Sequence, residues 1–375
     1  MNKRIIKWLS LFLSAGILTS CGLIQNNPDE IDTDEPTENI DNINEDNGSE
    51  EDPEETIDSE INQDLTAWMP RLENVHYHYE GTGNEYAAYS WYPQFNQDDF
   101  YQIARSNGGT TVAEIYEYRD DAIVRTLQKE ETYYRDNFSE IGTIPADTNE
   151  ETVLQLPIEV GNTWDGDGTT FEITAVNHEI TVPADTYTTI EVTVSYENGA
   201  TTKYYYAENV GLVAEIYEDD ELVVESKLET IEENVTEVIP VSVYVADEQA
   251  MGMDVVKADI ELMTNDPART ALQELLSGKN TDYPEINILP EGTEIQYLFL
   301  NNNHVVEVDV SKEFENMNAG STGELFFIYN LVNTLSQYYG TDEVLLTVDG
   351  EPYSGAHMIL QEGETLNFNQ EMVNE

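Results

Sequence analysis

Apolar residues are spread along the chain in four different ways. Near the start, Trp8 to Leu18 form one apolar stretch, "WLSLFLSAGIL". Beyond Gly22 the apolar signal nearly disappears, and no period is sustained up to residue 66. From about Ala67 to Ile231 apolar and polar positions alternate in "NVHYHYEG", "EYAAYSWY", "TTVAEIYEYRDD", "IEVTVSY", "TKYYYAEN" and "ELVVESKLE". A period of two in Tyr, Val, Thr and Ile predicts strands. Turn signals at Asn107-Gly108-Gly109, Asp165-Gly166-Asp167-Gly168, Asn198-Gly199 and Asp219-Asp220 divide them. No amphipathic helix stands out, so an antiparallel, mostly hairpin-connected sheet follows, closed into a barrel or folded over itself.

From about Val238 to Gly363 two periods mix. "NDPARTALQELLSG" predicts a helix with Asp266 as N-cap, Pro267 at the first helical position and Gly278 past the end. Ala268, Leu272, Leu275 and Leu276 share one of its faces. "TEIQYLFLNNNHVVEVDVS" alternates on both sides of Asn301-Asn302-Asn303, which predicts a hairpin. "STGELFFIYNLVNTLSQYYG" opens on a Ser321–Glu324 capping box and closes at Gly340. Its stripe of Leu325, Ile328, Val332, Leu335 and Tyr339, widened by Phe326 and Phe327, predicts a second core-facing helix. "DEVLLTVDG" adds a strand with an Asp349-Gly350 turn. The whole predicts an α+β chain: a mostly antiparallel β domain over 67–231, then a two-layer α/β sandwich over 238–363, opened by the strand "VIPVSVYVA", and a tail over 364–375.

Charge changes the picture of the polar stretch. The chain holds 76 Asp and Glu against 15 Lys and Arg, a formal net charge of −61, and none of those basic residues lies between Gly22 and Pro70. An acidic segment over 21–66 without aromatic anchors does not bury enough apolar surface to offset chain entropy, which predicts a disordered, charge-extended linker. The overall field repels phosphate backbones and excludes a nucleic-acid partner. Acid spread over every region predicts adaptation to salt, since at about 1 M ionic strength the Debye length falls to roughly 3 Å and self-repulsion is screened.

The lone cysteine explains the first segment. Lys3, Arg4 and Lys7 precede the apolar stretch, which is too short for the roughly 20 residues of a membrane-spanning helix. Leu18-Thr19-Ser20-Cys21 resembles the bacterial lipobox, which implies a signal peptide over 1–20 and lipid attachment at Cys21. Acyl chains there would hold the protein at the membrane, at about 0.8 kcal/mol per buried CH₂.

Two further resemblances follow. "LPIEVGNTWDGDGTTFEITAVNHEITVPADTYTTIEVTV" with "YYYAENVGLVAEIY" is similar to a β-rich module recurring in bacterial envelope proteins. "PARTALQELLSG", "LPEGTEIQYLFLNNNHVVEVDVS", "TGELFFIYNLVNTLSQYYGTDEVLLTVDGE" and "SGAHM" resemble the GerMN domain, the sporulation and spore-germination module of bacterial lipoproteins. That resemblance implies a non-catalytic envelope lipoprotein that assembles with other envelope proteins on the extracytoplasmic face of the membrane.

Candidate chemistry is sparse. His76-Tyr77-His78 places two imidazoles on one face of a strand, but no further His or Cys cluster accompanies them, and His178, His304 and His357 are scattered. Sheet-surface histidines without metal are therefore expected. "DGDGTT" at Asp165–Thr170 reads as a Gly-rich hairpin rather than a twelve-residue calcium loop, and "GTGNE" at Gly81 lacks the dinucleotide-loop context. Gly-x-Ser-x-Gly is absent. No catalytic, cofactor-binding or metal residue is assigned, and an enzyme is not expected. The first functional expectation is an interaction protein, with Tyr204-Tyr205-Tyr206 and Trp91-Tyr92 available to a docking surface. The alternative is a ligand-binding lipoprotein whose β domain holds a lipid or saccharide against Trp91, Trp164 and tyrosines.

Overall fold

The computed structural model describes residues 61–141, 150–317 and 319–374; Cys21 and the linker up to residue 60 lie outside them. A short helix α1 (Leu65–Trp68) leads into twelve strands: β1 (Val75–Thr82), β2 (Tyr89–Gln97), β3 (Phe100–Asn107), β4 (Thr111–Tyr118), β5 (Ala122–Lys129), β6 (Glu151–Gln155), β7 (Thr163–Asp165), β8 (Thr169–Thr181), β9 (Thr186–Tyr196), β10 (Thr201–Ala207), β11 (Gly211–Glu218) and β12 (Val223–Glu233). They form one antiparallel sheet in the order β6-β5-β4-β3-β2-β1-β12-β11-β10-β9-β8-β7. Two six-strand meanders are thus joined where β1 pairs with β12, Val75 opposite Glu233 through Thr82 opposite Glu225. The sheet curls until its edge strands meet: Trp164 on β7 donates its indole N–H to the Thr152 carbonyl of β6 at 2.8 Å. Leu154 of β6 and Ile123 of β5 share an apolar cluster with Phe171, Ile173 and Ile190 from the other meander. The result is nearly a barrel, closed at one seam by side chains instead of a backbone ladder.

Order begins earlier than the pattern of acid suggests. Residues 61–66, read as the end of the linker, are folded: Leu65 and Trp68 are buried and Ile61 packs against the same cluster. Asp64 caps α1 by accepting from Thr66 N–H. Gln63 exchanges two hydrogen bonds with the backbone of Ile158, at 3.1 and 2.9 Å. Three apolar side chains, Ile61, Leu65 and Trp68, spaced along one short stretch outweigh the single acidic residue between them, Asp64.

The remainder comprises β13 (Glu237–Ala246), β14 (Met253–Leu262), α2 (Ala268–Leu276), β15 (Ile295–Leu300), β16 (Val305–Val310), α3 (Ser321–Tyr339), β17 (Glu343–Val348), β18 (Glu351–Pro352) and β19 (Leu366–Asn367). The single sheet expected here is two. β13 and β14 form a separate ribbon, while β15, β16, β17 and β18 form a mixed sheet with β16 parallel to β17 and β19 added on β17. Parallel pairing needs a crossover, and α3 supplies it. Gly340, at φ 67°, ends α3 in the left-handed conformation the sequence predicts. The helix starts differ. Pro267 is the N-cap of α2 and Asp266 accepts from Met263 N–H instead. Glu324 does not reach back to cap α3; it is buried and accepts from Tyr353 O–H, His357 N–H and Met358 N–H. Leu325, placed in the core stripe, is 37% exposed, while Leu331 and Phe326 are buried. The last residues are not a tail: Leu366 is buried, and Phe368, Met372 and Val373 pack on Tyr244, Met253 and Phe326.

The described residues form one compact unit. Ala113, Ile115 and Leu127, on the outer face of β4 and β5, with Tyr134 and Phe138 from the segment that follows, share a core with β13–β17 and both longer helices. Arg135 is fully buried at this junction and donates to Glu237 at 2.9 Å and to the carbonyls of Gln94 and Met263. Asp136 beside it accepts from Leu300 N–H and from Tyr339 O–H, at 3.0 and 2.9 Å.

Candidate functional site

The curled sheet encloses a cavity of about 110 Å³. Alternation puts every second residue of its strands inside: Tyr89 and Trp91 from β2, Tyr101, Ile103 and Arg105 from β3, Glu114, Tyr116 and Tyr118 from β4, Arg125 from β5, and Tyr204 and Tyr206 from β10. A lining of this kind is aromatic with charges inset. Arg105 donates to Glu215 at 2.9 Å and stacks over the Tyr89 ring at 3.7 Å. Arg125 reaches Glu151 at 2.9 Å and Glu114 at 3.6 Å, and Tyr116 donates its hydroxyl to Glu114 at 2.7 Å.

Enclosure sets the electrostatics. Burial pulls the Arg105 guanidinium down, but Tyr89, Glu215 and Glu114 outweigh it and hold it well above its ordinary range. Burial pushes the Tyr89, Tyr116 and Tyr204 hydroxyls well above the usual phenol range, so all three stay protonated donors. The Tyr89 hydroxyl is buried without a hydrogen-bond partner among the described residues. The Arg105 side chain lines the cavity and keeps 32% of its surface accessible. Its fixed charge is therefore presented to whatever occupies the space.

The structure separates the aromatic residues that sequence grouped together. Trp91, Tyr204 and Tyr206 line the cavity. Trp164 does not: it stacks on Phe171 at 5.6 Å and holds the seam. Tyr205 and Tyr92 are buried, Tyr92 bonded to the Val235 carbonyl, so neither tyrosine cluster forms an exposed docking surface. Sequence reasoning missed Arg105, Arg125 and Glu114. The available signal was a charge at an inward parity position, as in Tyr101-x-Ile103-x-Arg105, where only apolar residues suit a filled core.

The face of β1 opposite Tyr77 and Tyr79 holds a second cluster. His76 and His78 lie with ring centroids 4.2 Å apart, and His76 pairs across the ladder with Glu232 of β12. Nε2 of His78 stands 3.6 Å from a Glu232 carboxylate oxygen. One ligand-capable atom from each of the three residues lies within 4.8 Å of the others. Cys21 lies outside the described residues, and among these no helix is long and apolar enough to cross a membrane.

Residues 242–354 match the Germane family model, described as sporulation and spore germination. Among solved structures, the tandem GerMN domains of the sporulation protein GerM from Bacillus subtilis are similar at 22% identity, over 31% of this chain and 40% of that chain, with a TM-score of 0.25. A chain described as a lipoprotein from Clostridium perfringens is similar at 18% identity, over 35% of this chain and 87% of that one, with a TM-score of 0.23. A chain described as an exported protein with a YmcC-like fold, from Bacteroides fragilis, is similar at 12% identity over 44% of this chain and 98% of that one, with a TM-score of 0.28. No curated protein matches the chain.

Proposed function

Because the chain is a GerMN-containing protein, we propose that it is an extracytoplasmic envelope lipoprotein, associated with sporulation or germination, that acts by binding rather than by catalysis. Cys21 is its lipid attachment, and the near-barrel sheet is its ligand-binding part. One observation carries this reading: the cavity presents the fixed charges of Arg105 and Arg125 among Trp91 and tyrosine rings. Rings stack on the flat faces of sugars and rings, and inset ions with protonated phenols bond polar substituents, so a small polar ligand of the saccharide class fits better than a lipid chain. Each arginine meets a carboxylate and the phenols are held neutral, an arrangement of fixed dipoles that supports the binding of a polar ligand. Soluble muropeptide fragments should give a saturable change in tryptophan fluorescence. Trp91→Phe should remove the change and Arg105→Gln should weaken binding about tenfold or more, in line with the loss of a charge-assisted hydrogen bond. A flat wild-type response to sugars and muropeptides would overturn the ligand reading.

A second reading, docking of envelope proteins, has its own support. β15 is an edge strand of the C-terminal sheet, and its Tyr297 is 48% exposed. Such an edge accepts an added strand.

A further inference from the structure

We propose that His76, His78 and Glu232 form a binding site for a divalent transition cation of the Zn²⁺ class on the outer face of the β1–β12 pairing. The three side chains come from the two strands that join the meanders, so the sheet's own register brings them together. Two imidazoles and one carboxylate are a recurrent three-ligand set for zinc, with the fourth position left to water or an added group. Spacing supports it. Ligands about 2.0–2.1 Å from a tetrahedral ion stand roughly 3.3 Å from each other, and the 3.6 Å between His78 Nε2 and the Glu232 oxygen is close to that. That separation is too long for a hydrogen bond, and His78 Nε2 is indeed buried with no hydrogen-bond partner among the described residues. A ring nitrogen shielded from water and aimed at a carboxylate it does not bond is a group awaiting a bridging cation.

Imidazole nitrogen also selects against the hard cations that the acidic surface attracts, since Ca²⁺ and Mg²⁺ take oxygen ligands.

The test is titration of the whole folded chain with Zn²⁺ by calorimetry, in excess Mg²⁺ to occupy surface carboxylates. Co²⁺ serves as a spectroscopic probe, because its visible absorption reports tetrahedral nitrogen and oxygen ligation. One Zn²⁺ per chain is expected, weakened about tenfold or more in His78→Ala and in Glu232→Gln. Glu232 is 56% exposed, so Glu232→Gln leaves the core intact; both variants should melt as wild type in chelator and lose the stabilisation that Zn²⁺ gives wild type. Absence of stoichiometric binding, or wild-type affinity in both variants, would overturn the site.

Discussion

Glu324 shows how one side chain can decide a local structure. In α3 its carboxylate is 2% exposed and gathers Tyr353 O–H with the backbone N–H groups of His357 and Met358. Those donors have no other role for their hydrogens at that point, and a buried donor left unmade costs about 1–3 kcal/mol. Glu324→Ala should therefore destabilise the protein by roughly 3–5 kcal/mol, read as a lower midpoint in urea unfolding, with Glu324→Gln losing less because it keeps one acceptor oxygen. An unchanged midpoint in the alanine variant would contradict this account. The sequence offered the residue as a capping-box partner of Ser321, and its spacing fits that role. What spacing does not carry is the return of residues 353–358 over the helix start, which outcompetes the local cap.

Elements show the same division between local and distant information. Strands of the near-barrel sheet were legible wherever alternation was clean, as in "NVHYHYEG" and "TKYYYAEN", which lie in β1 and β10. Each predicted Gly-containing turn separates two strands. β3 and β5 were not read, because Gln102, Arg105, Arg125 and Gln128 interrupt the apolar pattern at positions that tertiary partners fill. Glu232 was invisible as a neighbour of His78 for a different reason: their contact depends on the pairing of β1 with β12, the first and last of the twelve strands in chain order, which no local pattern encodes. Between elements, Asp136 ties the β5–β6 segment to β15 and α3. Burial raises its carboxyl to about 7, against the N–H of Leu300 and the hydroxyl of Tyr339, which favour the ionised form. Its folded pKa lies above the ordinary 3.8, so its contribution to stability is fullest below about 4 and is lost as pH rises to about 7, at no more than ~1.4 kcal/mol per pH unit. Unfolding of wild type and Asp136→Asn in urea from about pH 4 to pH 7 should show the wild type losing ground to the variant across that window. A constant difference would contradict it.

At the scale of the whole molecule, the few cations are placed where they are most needed. Arg105, Arg125 and Arg135 are directed inward to carboxylates, so little positive charge is left to balance the acidic exterior of a chain with net charge −61. Buried pairs are screened little by salt, whereas exposed like charges repel over a distance that salt shortens. The melting temperature should climb steeply with added NaCl and far less with sucrose at matched osmolality; a flat salt response would remove the salt-adaptation account. The seam has a mechanical consequence. Residues 61–68 bond the Ile158 backbone, just beyond edge strand β6, and share an apolar cluster with Trp164, whose indole clasps β7 to β6. Loss of order in this short stretch would therefore loosen the clasp before any laddered strand.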